Sequence, residues 1–291
     1  TWVSVGSPNI SGFGFPKTKM MLDGCGVPYV FFCDKLVKFD GSSWIQISPV
    51  LSFDFTNDAA IDAGGTPYLF YSDDSRGYKA TVLKYNGIGW DILGNAGFSS
   101  GLSDFGNITF DGNGTPYVSF LDGATGFKAS VMKLNGSTWE YVGPPSVSTG
   151  GGADPAVAID ASGTPFVLFI DDGNDAKTAV MKYDGSSWVM VGNAGFTQFI
   201  SGPRLALDPN GTPYVAFSSN SITGWSVVSL GFFNNTISGN SIICSGTDEL
   251  LTVTSSPGGV WSSSDTAVAT IAPYGILTVS YTHLRAHETR E

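Results

Sequence analysis

The sequence predicts an all-β fold built by repetition, and three observations carry that prediction. A motif reading Gly-x-Pro-aromatic, followed by apolar residues, recurs five times, with prolines at Pro28, Pro67, Pro116, Pro165 and Pro213, spaced 39, 49, 49 and 48 residues apart. A polar turn closed by tryptophan recurs between them: Asp40-Gly-Ser-Ser-Trp44, Asn86-Gly-Ile-Gly-Trp90, Asn135-Gly-Ser-Thr-Trp139 and Asp184-Gly-Ser-Ser-Trp188. The composition is the third, because 38 glycines with 13% aromatic and only 13% charged residues describe a turn-rich β protein, not a disordered chain. A period near 48 residues makes the chain an array of one supersecondary unit, the pattern of β-propeller blades.

The copy from Pro155 to Gly192 shows the unit most plainly. Ala156-Val-Ala-Ile-Asp160 reads as a short first strand, and the next residues to Pro165 as a turn. In that turn Asp bonds downstream N–H groups, glycine supplies a positive φ and proline fixes the entry to the next strand. Phe166–Ile170 is a nearly continuous apolar run, as expected of a strand buried on both faces, and Asp171–Asp175 breaks it. Thr178–Tyr183 is the third strand, Asp184-Gly a tight hairpin and Trp188–Val191 the fourth, after which Gly192 opens a long crossover. A β-solenoid would use shorter repeats of parallel strands without tight hairpins.

The second-strand segments Tyr29–Cys33, Tyr68–Tyr71, Tyr117–Leu121, Phe166–Ile170 and Tyr214–Phe217 are expected to be buried and radially equivalent. Thr1-Trp-Val-Ser-Val-Gly6 matches a fourth strand alone. The fifth copy has Arg204–Asp208, Tyr214–Phe217 and a degenerate third strand from Trp225 to Phe232, but no fourth. Trp2–Val5 is therefore expected to pair with the strand beginning near Trp225 and close a five-bladed ring, which removes two free edges at once; the alternative is an arc of a larger ring, if the protein continues upstream. A chain that starts inside a repeat is read as a fragment, with any export signal upstream.

The Asp-Gly-Ser-Ser-Trp hairpin resembles the Asp-box turn of sialidase-like propellers. It is one residue shorter, with Lys38, Lys84, Lys133 and Lys182 where that family has serine. The box is structural in the family, and a sialidase also needs an arginine cluster. Only Arg76 and Arg204 occur in the propeller part, which argues against sialidase chemistry. From about Thr236 the pattern changes to Ile237–Thr247, Leu250-Leu-Thr-Val253, Gly258-Gly-Val-Trp-Ser-Ser-Ser264, Ala267-Val-Ala-Thr-Ile271 and Gly275-Ile-Leu-Thr278. This stretch resembles a bacterial Ig-like domain of the second, intimin-type group (BIG2), truncated before its last strands. That resemblance implies an extracellular spacer or adhesin module. Tyr281–Glu291 resembles the translated adapter tails of some reading frames. The expected domains are a propeller over 1–233, a truncated Ig-like domain over 234–280 and a non-native tail over 281–291.

A net charge of −11 with no basic run argues against a nucleic-acid partner. No apolar stretch approaches the ~20 residues of a membrane helix, so membrane insertion is not expected. Cys25 and Cys33 are separated by a strand, beyond disulfide reach, and with Cys244 are read as free, buried thiols. Outside the tail there is no histidine, which removes Ser-His-Asp and Cys-His catalysis and His-ligated metals, and no catalytic residue is assigned.

The candidates are the aspartates ending the second strands, Asp34, Asp73, Asp122 and Asp171, together with Phe53, Phe98 and Phe196 from the crossovers, all on one face. Acids interleaved with aromatics bind sugars by hydrogen bonding and stacking, and Ca²⁺ is the ion such oxygens would take; no other cofactor is implied. The same aspartates have a plainer reading, in which they hold turn N–H groups or pair with Lys79, Lys128 and Lys177 across the hairpin. Asp73, Asp122, Asp171, Phe98 and Phe196 are the ligand-binding candidates. Asp23, Asp62, Asp111, Asp160 and Asp208 are assigned to the Gly-x-Pro turns, and the tryptophans to outer-strand packing. The reading is a non-catalytic binding or adhesion scaffold, secreted or at the cell surface, with a glycan or cell-surface protein as partner. The alternative is a glycan-active hydrolase or lyase with part of its site in missing blades, which a pair of non-equivalent central carboxylates would favour.

Overall fold

A computed structural model describes residues 3–6, 18–32, 35–49, 51, 58–192, 195–196, 200–219 and 225–229, with short strands beyond. The chain divides into two compact units, Thr1–Leu230 and Gly231–Glu291. The described strands of the first unit form five antiparallel sheets. Sheet one holds β1 (Thr18–Leu22), β2 (Pro28–Phe32), β3 (Lys35–Phe39) and β4 (Trp44–Gln46); sheet two holds β5 (Asp58–Ile61), β6 (Pro67–Asp73), β7 (Lys79–Tyr85) and β8 (Trp90–Ile92). Sheet three holds β9 (Ser103–Phe110), β10 (Pro116–Asp122), β11 (Lys128–Asn135) and β12 (Thr138–Tyr141); sheet four holds β13 (Gly152–Ile159), β14 (Pro165–Asp171), β15 (Lys177–Tyr183) and β16 (Trp188–Met190). Sheet five holds β17 (Ile200–Leu207), β18 (Pro213–Ser219) and β19 (Trp225–Ser229). Strands follow one another within each sheet, as a meander of hairpins does.

Each sheet packs face to face on the next, with a fixed polarity. The aromatic after the motif proline points forward. Tyr29 meets Ala59, Leu69 and Leu83 of sheet two. Tyr68 and Phe70 meet Ile108, Val118 and Phe120 of sheet three, Tyr117 meets Val157 and Val167 of sheet four, and Phe166 and Leu168 meet Val215 and Phe217 of sheet five. A second strand covered on both sides must be apolar at both parities, and this is why its alternation is lost in the sequence. Tyr214 departs from the expected burial: it is 38% exposed, whereas Tyr29, Tyr68, Tyr117 and Phe166 lie at 3–7%.

The tryptophans do more than pack. The indole Nε1–H of Trp90 donates to the carbonyl of Ile47, Trp139 to Leu93 and Trp188 to Val142, at 2.6, 3.0 and 2.8 Å. Each acceptor lies three residues past the tryptophan of the preceding sheet, and its own N–H is bonded to that sheet's third strand, to Leu36, Val82 or Val131. One peptide group is thereby fixed to two neighbouring sheets. Val5 holds the same place for sheet one, its carbonyl accepting from Trp44 Nε1 at 2.9 Å. The glycines that follow, Gly6, Gly94 and Gly143, share φ near +70 and lie against the next tryptophan.

The expected ring closure is not met among the described residues. Val3–Val5 joins no strand ladder, and sheet five keeps three strands. Trp2, which would lead that pairing, lies outside the described residues, as do Cys33, Asp34, Phe53, Cys244 and 281–291. The burial expected of Cys25 is also corrected. It is a free, exposed cysteine, because it sits in the turn whose Asp23 carboxylate accepts the Cys25 and Val27 N–H groups. Asp62, Asp111, Asp160 and Asp208 hold their turns in the same way, through the N–H of Thr66, Thr115, Thr164 and Thr212.

In the second unit β20 (Ile237–Ser238) pairs with β22 (Thr252–Val253), and β24 (Ile276–Val279) lies between β21 (Asp248–Leu250) and β23 (Ala269–Ile271), all antiparallel. Among the described residues no helix is long and apolar enough to cross a membrane.

Two outcomes are expected. Gly143→Ala puts a Cβ at φ +74 and 2.8 Å from the Tyr183 ring; it should destabilise by about 1–3 kcal/mol in urea melts, with Trp188→Phe costing roughly 1–2 kcal/mol through the lost donor. Acid should act on the hairpin turns. The Ser43 and Ser42 N–H groups lower Asp40 from 3.8 to about 2, and those of Ser187 and Ser186 do the same for Asp184. A folded value below the unfolded one gives stability that is full above the unfolded pKa and lost as pH falls through the folded one. The Tm should therefore drop between about pH 4 and 2, and Asp40→Asn with Asp184→Asn should flatten that limb. Asn86 already plays this part uncharged, accepting from the Ile88 and Gly89 N–H groups.

Candidate functional site

The second-to-third-strand loops and the crossovers share one end of the sheets. The crossover 93–102 runs between the loop after β6 and the loop after β10. Its Phe98 N–H bonds the Ala80 carbonyl, and its Gly101 N–H bonds Asp122 Oδ1 at 2.9 Å. The next crossover repeats this contact, with the Gly150 N–H on Asp171 Oδ1 at 2.9 Å. Glycine is required there: a Cβ on Gly101 would stand 2.2 Å from the Ala124 nitrogen, and one on Gly150 2.2 Å from that of Gly173.

The structure brings the five candidates to this end but turns their side chains inward. Asp73, Asp122 and Asp171 are 5%, 0% and 5% exposed, each capping a short 3-10 turn through the N–H of Ser75, Ala124 or Gly173. Asp73 also accepts from the Ser75 hydroxyl and takes the Arg76 Nε at 3.4 Å; Asp122 accepts from the Tyr141 hydroxyl at 2.6 Å, and Asp171 from that of Thr149 at 2.7 Å. Lys79, Lys128 and Lys177 stand opposite these aspartates in register, yet among the described residues Lys177 pairs with Asp175 instead. Phe98 stacks on Trp139 at 4.6 Å and 15°, and Phe196 packs on the core between sheets four and five. As placed, these residues hold the face together.

What the face presents belongs to their neighbours. Each loop ends in two consecutive left-handed residues, Gly77-Tyr78, Gly126-Phe127 and Asp175-Ala176. Tyr78 at φ 61 and Phe127 at φ 59 are 52% and 41% exposed. A non-glycine residue there is strained by roughly 1 kcal/mol or more, and an aromatic half in solvent recovers little of it by packing. The signal was in the sequence as Gly-Tyr-Lys79 and Gly-Phe-Lys128, at the place where the fourth copy has Asp-Ala-Lys177.

A second cluster lies on the first strands. Position by position these carry Lys19, Asp58, Asn107, Ala156 and Arg204. Asp58, 2% exposed, accepts from Lys19 Nζ, Asn107 Nδ2 and the Ile108 N–H, each at 3.0 Å, and Asn107 Oδ1 accepts the Val157 N–H at 3.1 Å. Further carboxylates, Asp104 and Asp154, occupy non-equivalent places at the bulges of β9 and β13, and Asp154 is left-handed at φ 48. Among the described residues no group of three or more His, Cys, Asp or Glu is placed to hold a metal ion.

No protein-family model matches the chain, and no curated protein matches it. Solved structures do. The SapL1 lectin in complex with α-methyl fucoside is similar over 73% of this chain and 76% of that one, at 14% identity and a TM-score of 0.51. An endo-arabinase from Bacteroides thetaiotaomicron is similar over 77% of this chain and 96% of its own, at 16% identity and a TM-score of 0.46. A mutant Aleuria aurantia lectin with α-methyl-L-fucoside covers 72% and 76%, at 16% identity and a TM-score of 0.47. The first of these shows the fold, and the first unit is a β-propeller-like array of four-stranded antiparallel sheets.

Asp122→Ala should cost roughly 3 kcal/mol in a denaturant melt, because it leaves two backbone N–H groups and the Tyr141 hydroxyl without their acceptor. Asp122→Asn, which keeps an acceptor oxygen, should cost less than Asp122→Ala.

Proposed function

We propose that this chain is a non-catalytic carbohydrate-binding scaffold of a secreted or cell-surface protein, with glycans seated on the crossover face. The observation that carries the reading is the pair Tyr78 and Phe127. Two equivalent loops hold an exposed aromatic ring in a backbone conformation that glycine would adopt without strain. A ring kept at a stability cost and presented to solvent is a stacking platform for the apolar face of a sugar. Backbone and hydroxyl groups of the adjoining crossover supply hydrogen-bond partners, and Asp73, Asp122 and Asp171 fix the loops beneath. The lectin complexes among the similar structures agree with a sugar as ligand. The intimin-type Ig-like reading of 234–280 fits an extracellular spacer behind such a domain.

Tyr78→Gly and Phe127→Gly test this with opposite effects on two measurements. Each should leave the unfolding free energy in a urea melt unchanged or raise it by up to about 1 kcal/mol of relieved strain. The double variant should lose at least about tenfold in affinity for whichever glycan an array identifies. Unchanged affinity in the double variant would remove the crossover face from consideration.

A second reading, a glycan-active hydrolase or lyase, is favoured by one observation, the non-equivalent pair Asp104 and Asp154 on neighbouring first strands. Turnover of a glycan that Asp104→Asn or Asp154→Asn abolishes, with binding intact, would replace the scaffold reading.

A further inference from the structure

We propose that the first strands of sheets four and five form a binding site for the carboxylate of a small acidic ligand, held by the Arg204 guanidinium and the Leu205 N–H. The chain carries its own template for the group that fits. Between sheets two and three the Asp58 carboxylate accepts from the Ile108 N–H and from Asn107 Nδ2, each at 3.0 Å. One sheet on, Asn107 Oδ1 accepts from the Val157 N–H at 3.1 Å. In both cases a side chain of the first-strand row caps an N–H of the next sheet, at the residue paired with Val118 or Val167 of the second strand. Leu205 holds that place in sheet five, paired with Val215.

The row residue of the preceding sheet is Ala156. It packs with Leu205 on the core between sheets four and five, and its side chain has no acceptor atom. Arg204 stands where Asn107 stands, and its Nη1 donates to the carbonyl of its neighbour Pro203 at 2.9 Å. Among the described residues Arg204 joins no ion pair. The donors around Asp58 are thus repeated, with the amide exchanged for a cation and with no carboxylate from Ala156. Asp58 is buried, whereas Ala156 is half-buried and Arg204 exposed, so a carboxylate from solution can reach the pair. The planar guanidinium matches a carboxylate, and the backbone N–H adds a second charge-assisted bond. This site lies in other sheets than Tyr78 and Phe127 and does not depend on the crossover face.

Nuclear magnetic resonance of the Leu205 amide in the full chain, titrated with sodium glucuronate, sodium acetate, sodium sulfate or glucose, tests the site. Glucuronate and acetate should shift that amide saturably, and glucose should not. Tighter binding of glucuronate than of acetate makes the ligand an acidic sugar; equal binding makes the carboxylate alone the group recognised. Arg204→Gln, an exposed change that spares the core, should weaken binding at least about tenfold. Ala156→Asp supplies the carboxylate from within the chain. It should abolish the shift by either anion and raise the Tm, and adding Arg204→Gln should shrink that gain. The Arg204→Gln result stands by itself should Ala156→Asp fail to fold. No saturable shift in wild type, sulfate bound as tightly as acetate, or binding left intact by Arg204→Gln or by a folded Ala156→Asp would overturn the site.

Discussion

The indole-to-carbonyl bond between successive sheets is the interaction on which the rest of the first unit depends. An isolated four-stranded sheet of this size leaves two apolar faces in water, so each blade needs both neighbours. Area alone would let the sheets slide on one another. The tryptophan bond prevents this, because its acceptor peptide is already tied through its N–H to its own third strand. After the acceptor peptides of Val5, Leu93 and Val142 a left-handed glycine lets the chain leave over the edge of the next indole. Trp44 with Val5 shows the same bond although, among the described residues, Val3–Val5 joins no strand ladder, so the bond does not require a paired strand to carry it.

The crossover face is built by a different logic. Its aspartates are spent inward: buried carboxylates aimed at loop N–H groups stiffen three loops, and the glycines at 101 and 150 let the crossovers lie directly on them. On that frame, residues that contribute little to packing are free to differ between copies. Tyr78, Phe127 and Ala176 occupy one backbone position with three side chains, whereas the turns at the opposite end keep the same aspartate in all five copies. Uniform turns serve the scaffold, and variable loops on a rigid frame are where recognition is placed.

The first-strand row shows why electrostatics escapes a repeat-based reading. Lys19, Asp58, Asn107, Ala156 and Arg204 share a position but no chemistry, and their meaning lies in adjacency. Asp58 is satisfied because a cation and an amide come from sheets on either side. A buried carboxylate with only one of them would be poorly compensated.

The sequence by itself determined the unit, its strands and its turns, since these rest on contacts within a few residues. Asp160 and Ser162, or Asp40 and Ser43, find each other whatever the rest of the chain does. It also placed the crossovers and second-strand ends on one face, because strand parity and hairpin order dictate that. Only the tertiary structure decided which side chains that face exposes. Asp122 is buried because a crossover from the preceding blade caps it, and Tyr214, which shares a repeat position with Tyr117, is left 38% exposed. The tryptophan acceptors lie 39 to 46 residues away, and no local pattern names a backbone carbonyl as partner. Burial and long-range bonding are properties of neighbouring blades, and a single repeat does not contain them.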